Sequence, residues 1–442
     1  MKTRLYQSPG SNGGNGGRER ALSVLTAPEA DPAREEKQTA VKKHEREIDD
    51  GLEENGSQPE RPEKKRRSFA RRVLSVAVTA AVVLGALALV VFHDRLNIDS
   101  LRRAISYISL RTDDSGRAEE FSYEGDAGNR FVTFKDGLLV ASGTRLQLFS
   151  AGGKELYSGI VALDNPRTVA SKTLAAAYDV GGGSLYALDG DKVVLELHLD
   201  SGLSIFSASV NDGGYLAVTC QENGYKGKVT VYNDKMGKAV DLLFSTRFVV
   251  DACVLPDCKT AAAVTIGQEE DRFESTVGFY SIASGKQTAS LDIPDSLVLS
   301  LGNLDGSLCA VTETSIVIAD ENGEKTGEYG YSDRYLREFD LGGDGFASVV
   351  LSRYKAGTQA KLVTVDGKGN EIASLDTTEE ILDISAAGRY VAVLYASRLV
   401  IYTKDMKEYA RLEGTAGARS VLMRDDGTAM LVGYESARLY IP

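Results

Sequence analysis

Nucleophilic and metal chemistry depend on histidine more than on any other side chain, and this chain of 442 residues has three: His44, His93 and His198. His44 lies in a polar, low-complexity stretch and His93 directly follows a long apolar run. A multi-histidine metal centre is therefore excluded from the remainder, and no metal or other cofactor is expected. A Ser-His-Asp arrangement would have to use His198, in Leu195-Glu-Leu-His-Leu199, whose alternation places it on the solvent face of an outer strand. Neither a G-x-S-x-G elbow nor a G-x-x-x-x-G-K-[ST] loop is present. Cys253 and Cys258 are five apart with no histidine nearby, which is not a zinc spacing. Each cysteine reads as a small buried thiol, with a Cys253–Cys258 disulfide as the alternative. Carboxylates are plentiful but no pair stands out, so a non-enzyme is expected, with an acid-pair hydrolase as the catalytic alternative.

Recognition chemistry is better represented. Four segments that carry Tyr or Phe together with Arg or Lys interrupt the strand pattern: 221–228 (QENGYKGK), 268–275 (QEEDRFES), 330–336 (GYSDRYL) and 353–360 (RYKAGTQA). Together they offer Tyr225, Lys226, Arg272, Phe273, Tyr331, Arg334, Tyr335, Arg353 and Tyr354. Tyrosine and arginine are the types enriched where partners bind most tightly, and loops on a rigid framework are where function concentrates. The plain alternative is a set of hairpin tips whose rings cover strand edges.

The elements that position these loops are legible as a repeat. Asp136-Gly137, Asp212-Gly213, Asp305-Gly306, Asp344-Gly345 and Asp426-Gly427 each precede an apolar strand, with degenerate versions at Ser171-Lys172, Asp257-Cys258 and Ala387-Gly388. The spacings are 35 to 48 residues. In each unit a strand enters the turn, an apolar strand leaves it, a third follows (LLVAS then RLQLFS; YVAVLY then RLVIYT), and a short fourth closes the unit. Four strands in about 40 residues is the signature of a propeller blade. The sequence thus predicts an all-β, eight-bladed β-propeller over 119–442, with seven blades as the alternative. The last unit ends at LYIP without its fourth strand, and 119–124, EEFSYE, supplies one from the other end. In this fold the loops joining strands 2–3 and 4–1 share one face, which places all four Tyr/Arg segments together. The absence of tryptophan removes the best sugar-stacking side chain and the docking tryptophans of quinone-cofactor propellers.

Residues 73–92, VLSVAVTAAVVLGALALVVF, hold no charge and reach about 30 Å as a helix, the thickness of a bilayer core. Residues 61–72 carry seven Lys or Arg. That excess predicts a cytoplasmic N-terminus, an uncleaved single-pass anchor and an extracytoplasmic propeller at the cell membrane. Three readings compete with the anchor. A cleaved signal peptide would be shorter and nearer the N-terminus, a twin-arginine signal would have a shorter lead, and a buried globular helix is the third. Residues 1–72 are too poor in apolar side chains to offset chain entropy and read as a disordered tail. Over 93–118, Ile98, Leu101, Ile105 and Ile108 recur at helical spacing. They predict a short amphipathic helix, lying on the membrane or packed beneath the folded domain, followed by a linker. Residues 93–442 hold 35 basic and 50 acidic groups, a net of −15, which disfavours nucleic acid.

On RLNIDSLRRAISY, NGYKGKVTVY, LGGDGFASVVLSRYKAGTQAKLVTVDGKGNEIASL, RYVAVLYASRLVIY and ARLYIP, residues 95–442 resemble a family of single-pass, propeller-bearing proteins of clostridial-type bacteria. That family is a domain of unknown function. The resemblance implies the same topology and supplies no activity and no catalytic residue. The repeats also resemble degenerate WD-type blades, but lack the Gly-His and Trp-Asp signature. The expected role is a protein- or wall-polymer-binding scaffold on the outer face, with a channel hydrolase and a surface sensor as alternatives.

Overall fold

The computed structural model describes residues 111–442 apart from 270, 271 and 356. It also describes residues 2–4, 74, 76, 78–80, 103, 106–108 and 110. Most of the expected tail and of the 73–92 span lies outside the described residues; 74, 76 and 78–80 are helical. Among the described residues, no helix is long and apolar enough to cross a membrane.

The β-rich part is eight antiparallel sheets arranged as blades. Blade 1 is Arg130–Phe134, Gly137–Ala141, Arg145–Ser150 and Glu155–Ile160. Blade 2 is Pro166–Ala170, Ala175–Asp179, Ser184–Asp189 and Lys192–His198. Blade 3 is Ile205–Val210, Leu216–Cys220, Gly227–Tyr232 and Lys238–Phe244. Blade 4 is Phe248–Val254, Thr260–Glu269, Arg272–Ser281 and Gln287–Ile293. Blade 5 is Val298–Leu304, Ser307–Thr312, Ser315–Ala319 and Lys325–Gly330. Blade 6 is Tyr335–Gly343, Phe346–Ser352, Ala360–Asp366 and Glu371–Thr377. Blade 7 is Ile381–Ala387, Tyr390–Tyr395, Arg398–Thr403 and Glu408–Glu413. Blade 8 is Ser420–Met423, Ala429–Val432 and Ser436–Tyr440, completed by Phe121–Ser122. The short segment Lys2–Arg4 lies antiparallel to the outer strand of blade 2, Lys2 opposite His198.

Burial follows position within the blade. Second strands such as Ala175–Asp179 and Tyr390–Tyr395 are buried at every residue, because neighbouring blades cover both faces. Outer strands such as Glu155–Ile160 and Lys325–Gly330 alternate with solvent. The apolar core is eight clusters, each drawn from two consecutive blades. One joins Ala217 and Val231 of blade 3 to Val254 and Ala263 of blade 4. The one that seals the ring joins Met430 and Leu439 of blade 8 to Leu138 and Phe149 of blade 1. Eight interfaces require eight blades, so the seven-bladed alternative falls.

The turns are set locally. Between Leu304 and Ser307 the two-residue hairpin Asp305-Gly306 has φ of 50° and 83°, the left-handed pair that matches strand twist. Closure runs as the sequence predicts: Phe121 pairs with Ala437 and Ser122 with Ser436.

The segment before the propeller departs from its expected face. Ile108, expected on the apolar side of the helix, is 86% exposed. Arg103 and Tyr107, one helical turn apart, are the buried pair. Arg103 donates to the Asp426 carbonyl at 2.6 Å and to the Tyr409 hydroxyl at 2.6 Å. The Tyr107 hydroxyl donates to Asp426 Oδ2 at 2.6 Å. Polar partners on blades 7 and 8 select this face, and hydrophobic periodicity carries no sign of them. Of the two expected settings, the described turn is packed on the folded domain.

Candidate partner-binding face

The loops between strands 2–3 and 4–1 open on one side of the ring, and the predicted residues divide into two groups there. In the first group, Tyr225 is exposed in the blade 3 loop, and Lys226 Nζ stands 4.5 Å from the centre of the Phe248 ring. Phe273, 59% exposed, lies near the tip of the long blade 4 hairpin, opposite Gln268. Arg272 begins that strand; its side chain is outside the described residues. The second group belongs to blade 6, with blade 5 between the two. Tyr335 opens the inner strand, with Lys355 Nζ 5.6 Å from its ring centre. Tyr354, 56% exposed, has the Arg353 guanidinium 5.7 Å from its ring centre. Arg334 approaches Asp376 at 3.9 Å.

Tyr331 is the correction. Its side chain is 2% exposed and packs between blades 5 and 6 with Leu304, Val311 and Leu351. The cause is the turn after it: Ser332 and Asp333 have φ of 51° and 61°, and this left-handed pair reverses the chain. The reversal leaves Tyr331 inside and Tyr335 outside. Its hydroxyl has no hydrogen-bond partner among the described residues, and burial raises its pKa.

Sequence reasoning missed the apolar part of this face. Phe248, Leu299 and Leu382 stand exposed at the starts of inner strands, Ile160 and Leu243 at the ends of outer strands, and Tyr434 in the blade 8 loop. All six positions are on the side of Tyr225 and Tyr354. Their sequence signal is that of ordinary strand residues, which reasoning assigns to the core. The opposite side is made of Asp-, Gly- and Lys-rich turns such as Asp136, Lys172, Asp212, Lys235, Asp305 and Lys368. Arginines gather on the first side, several held by its own carboxylates: Arg145–Glu124 at 2.9 Å, Arg247–Glu274 at 2.6 Å and Arg398–Glu379 at 2.7 Å. Aromatic residues and Arg are enriched at interfaces and Lys is depleted, so the two faces differ in the direction that matters for binding.

Three constellations have catalytic residue types. His198 is on the outer strand of blade 2, with Nε2 2.8 Å from Glu196 and Nδ1 3.2 Å from the Ser184 hydroxyl. The three share a solvated strand surface, and none lines either cleft described below. Without a dry pocket and oriented donors for an oxyanion, this is a surface hydrogen-bond chain. The four cysteines are free thiols, so the Cys253–Cys258 disulfide falls. Among the described residues no group of three or more His, Cys, Asp or Glu is placed to hold a metal ion.

Carboxylates also occupy inner strands, at positions the sequence did not single out. The inner strands of blades 4, 6 and 7 each carry a β-bulge, followed by Asp251, Glu338 and Asp383. Asp251 Oδ2 accepts the Leu301 N–H of blade 5 at 3.0 Å. Asp383 Oδ2 accepts the Val421 N–H of blade 8 at 2.7 Å. Burial raises the pKa of Asp251, and burial with the nearby Asp383 pushes Glu338 up to about 8. Asp251 and Asp383 are committed to joining blades. A cleft of about 490 Å³ lies elsewhere, beside the closing seam, lined by Arg117, Glu120, Thr415, Tyr434 and Arg438 among others. A smaller one of about 190 Å³ is formed by Leu110, Arg111, Ala118, Glu119 and Gly152.

The fold has architectural counterparts. The C-terminal WD40 domain of Sif2 superposes with a TM-score of 0.51 at 12% identity, covering 71% of this chain and 98% of that one. The computationally designed protein Ika8 superposes with a TM-score of 0.53 at 12% identity, covering 73% of this chain and 99% of that one. At such identity the likeness is one of fold alone. No curated protein shows significant sequence similarity to the chain. The profile of a family of unknown function, DUF5711, matches residues 114–436, and the chain belongs to that family.

Proposed function

We propose that this chain is a single-pass, membrane-anchored propeller, with its N-terminus in the cytoplasm, that presents one face as a binding scaffold for a protein or a wall polymer. The observation that carries the reading is the one-sided distribution of exposed aromatic side chains, from Phe248 and Phe273 to Tyr335, Tyr354 and Tyr434, whereas exposed aliphatics stand on both sides, Leu156 and Ile108 being on the other. Water penalises each of them, and a partner that covers them recovers that cost. The chain enters the propeller at the other face, where Arg103 and Tyr107 dock on Asp426, so its own connection leaves the apolar face open. The charge-free 73–92 span and the basic run before it support the topology.

Binding by this face is tested by single substitutions in the full chain. A partner captured by crosslinking on intact cells is titrated against the parent, Tyr225→Ala, Tyr335→Ala and Tyr354→Ala. Loss of a true anchor costs about 2 kcal/mol or more, roughly 30-fold in affinity. Parent-like binding by all three, together with weakened binding by Asp305→Ala on the opposite face, would mean that the partner sits on the other side. The pairing of Lys2–Arg4 with blade 2 stands against this topology within one molecule, because a membrane would separate the two, so the topology is tested on its own. Protease added to intact protoplasts should remove the propeller and spare the tail. Trimming of the tail alone reverses the orientation. The hydrolase reading gains nothing from Asp251 or Asp383, whose oxygens are engaged between blades, and the sensor reading has no structural observation in its favour.

A further inference from the structure

Arginines at the entries of the inner strands fall into two kinds. Arg247 in blade 4 and Arg337 in blade 6 have carboxylates beside them, Glu274 at 2.6 Å and Glu380 at 3.8 Å. Blades 8, 1 and 2 differ. Arg419 precedes Ser420–Met423, Arg130 begins Arg130–Phe134, and Arg167 is the second residue of Pro166–Ala170. The inner strand of blade 1 lies between the other two. Arg419 donates to the Ala127 carbonyl at 3.2 Å, and Arg130 to the carbonyls of Gly128 and Asn129 at 3.1 and 3.0 Å. Successive carbonyls of one loop thus seat both guanidiniums. None of the three arginines makes an ion pair among the described residues. The acids of the adjoining loops, Asp126 and Asp164, are exposed, and Asp126 Oδ1 accepts the Gly128 N–H at 2.9 Å. We propose that Arg130, Arg167 and Arg419 form an anion site that takes the phosphate groups of a phosphodiester-linked wall polymer. The inference rests on the binding-face reading in its wall-polymer form and names the chemistry recognised.

Charge and shape support the assignment. Residues 93–442 are acidic overall, so solubility does not call for unpaired cations side by side. Such cations repel one another. The pKa of the partly buried Arg130 is lowered, by burial first and then by the charges of Arg167 and Arg419. A bound anion relieves that repulsion. The guanidinium fork matches phosphate oxygens in pairs, and two or three forks suit a group with several oxygens. The site also leads outward, as a polymer requires. The Arg419 guanidinium stands 5.9 Å from the centre of the Tyr434 ring, and Tyr434 lines the cleft of about 490 Å³. One wall of that cleft, 414–418 (GTAGA), is built of small side chains. On its other walls Glu120 is held by Arg438 and Ser436, while Arg117 bonds only the Glu413 and Gly414 carbonyls and keeps its charge uncompensated. Glu435 adds one carboxylate there. A single phosphate needs the arginines alone; a chain of phosphates has a cleft to lie in.

The test titrates the full chain in mild detergent with three probes: a synthetic poly(glycerol phosphate), poly-glutamate of the same chain length, and inorganic phosphate. The proteins are the parent, Arg130→Gln, Arg167→Gln, Arg419→Gln and a control, Arg398→Gln, whose guanidinium Glu379 already holds at 2.7 Å. The parent should bind poly(glycerol phosphate), and about tenfold or more tighter per phosphate than inorganic phosphate. Each of the three site variants should lose about tenfold in affinity, and Arg398→Gln should bind like the parent. Arg167 and Arg419 are exposed, so their variants decide the matter if Arg130→Gln does not fold. Parent-like binding by Arg167→Gln and Arg419→Gln, or an equal loss in Arg398→Gln, overturns the site. Poly-glutamate bound as tightly as poly(glycerol phosphate) overturns the phosphate chemistry in favour of an acidic protein. Inorganic phosphate bound as tightly as the polymer overturns the polymer. Each of these failures leaves the Tyr-bearing face standing, because its own test is partner capture with Tyr335→Ala and Tyr354→Ala.

Discussion

The buried residues set apart by their polar contacts respond to pH in opposite directions. Asp426 is the counterpart of Glu338. Burial alone would raise its pKa, but bonds from Tyr107 and Thr428 outweigh that and hold it below the usual carboxylate range. Its contribution is present above that range and is lost as pH falls through it. Hydrogen exchange should therefore show the blade 8 seam loosening first in acid. A blade 8 seam that loosens no earlier in acid than the other seams would contradict the assignment. Tyr107→Phe removes one donor from Asp426 and should cost about 1 kcal/mol in a denaturant titration. Tyr331→Phe removes a buried hydroxyl with no partner among the described residues, so it should be neutral or slightly stabilising and leave partner binding intact. A clear loss of stability would mean that the hydroxyl is satisfied.

At the scale of elements, ring closure depends on a strand of two residues. Phe121 holds it in place, with its ring centre 5.3 Å from that of Phe149 in blade 1. Phe121→Ala should cost about 2 kcal/mol and should lower the melting midpoint of the whole ring, because the last blade loses its outer strand. Unchanged melting would show that Arg117 and Ala118, which also bond to the Ser436–Tyr440 strand, suffice for closure. Eight blades and their closure were legible because turn chemistry and strand hydrophobicity are local and repeat. What escaped was set by distant partners or by single dihedral angles. The face of the helix before the propeller is chosen by Asp426 and Tyr409, some 300 residues away in sequence. The inward turn of Tyr331 hangs on two left-handed residues. The bulges that precede Asp251, Glu338 and Asp383 leave no mark in an otherwise regular strand pattern. Of the predicted site, Tyr225, Lys226, Phe273, Tyr335, Arg353 and Tyr354 are presented to solvent, because hairpin tips follow from loop length alone.

The propeller is a two-faced ring: exposed aromatics and most of the Arg on one side, Asp-Gly and Lys turns with the incoming chain on the other. That asymmetry is the central claim for function, and it is tested by comparing the faces in one experiment. A photoactivatable residue is placed at position 354 on the first face or at position 368, an exposed turn of the same blade on the second. Each full-length variant is irradiated in intact cells. Position 354 should give a discrete crosslinked species that disappears with Tyr335→Ala, and position 368 should give none. A species from position 368 alone, or equal yields from both, would contradict a one-sided binding face.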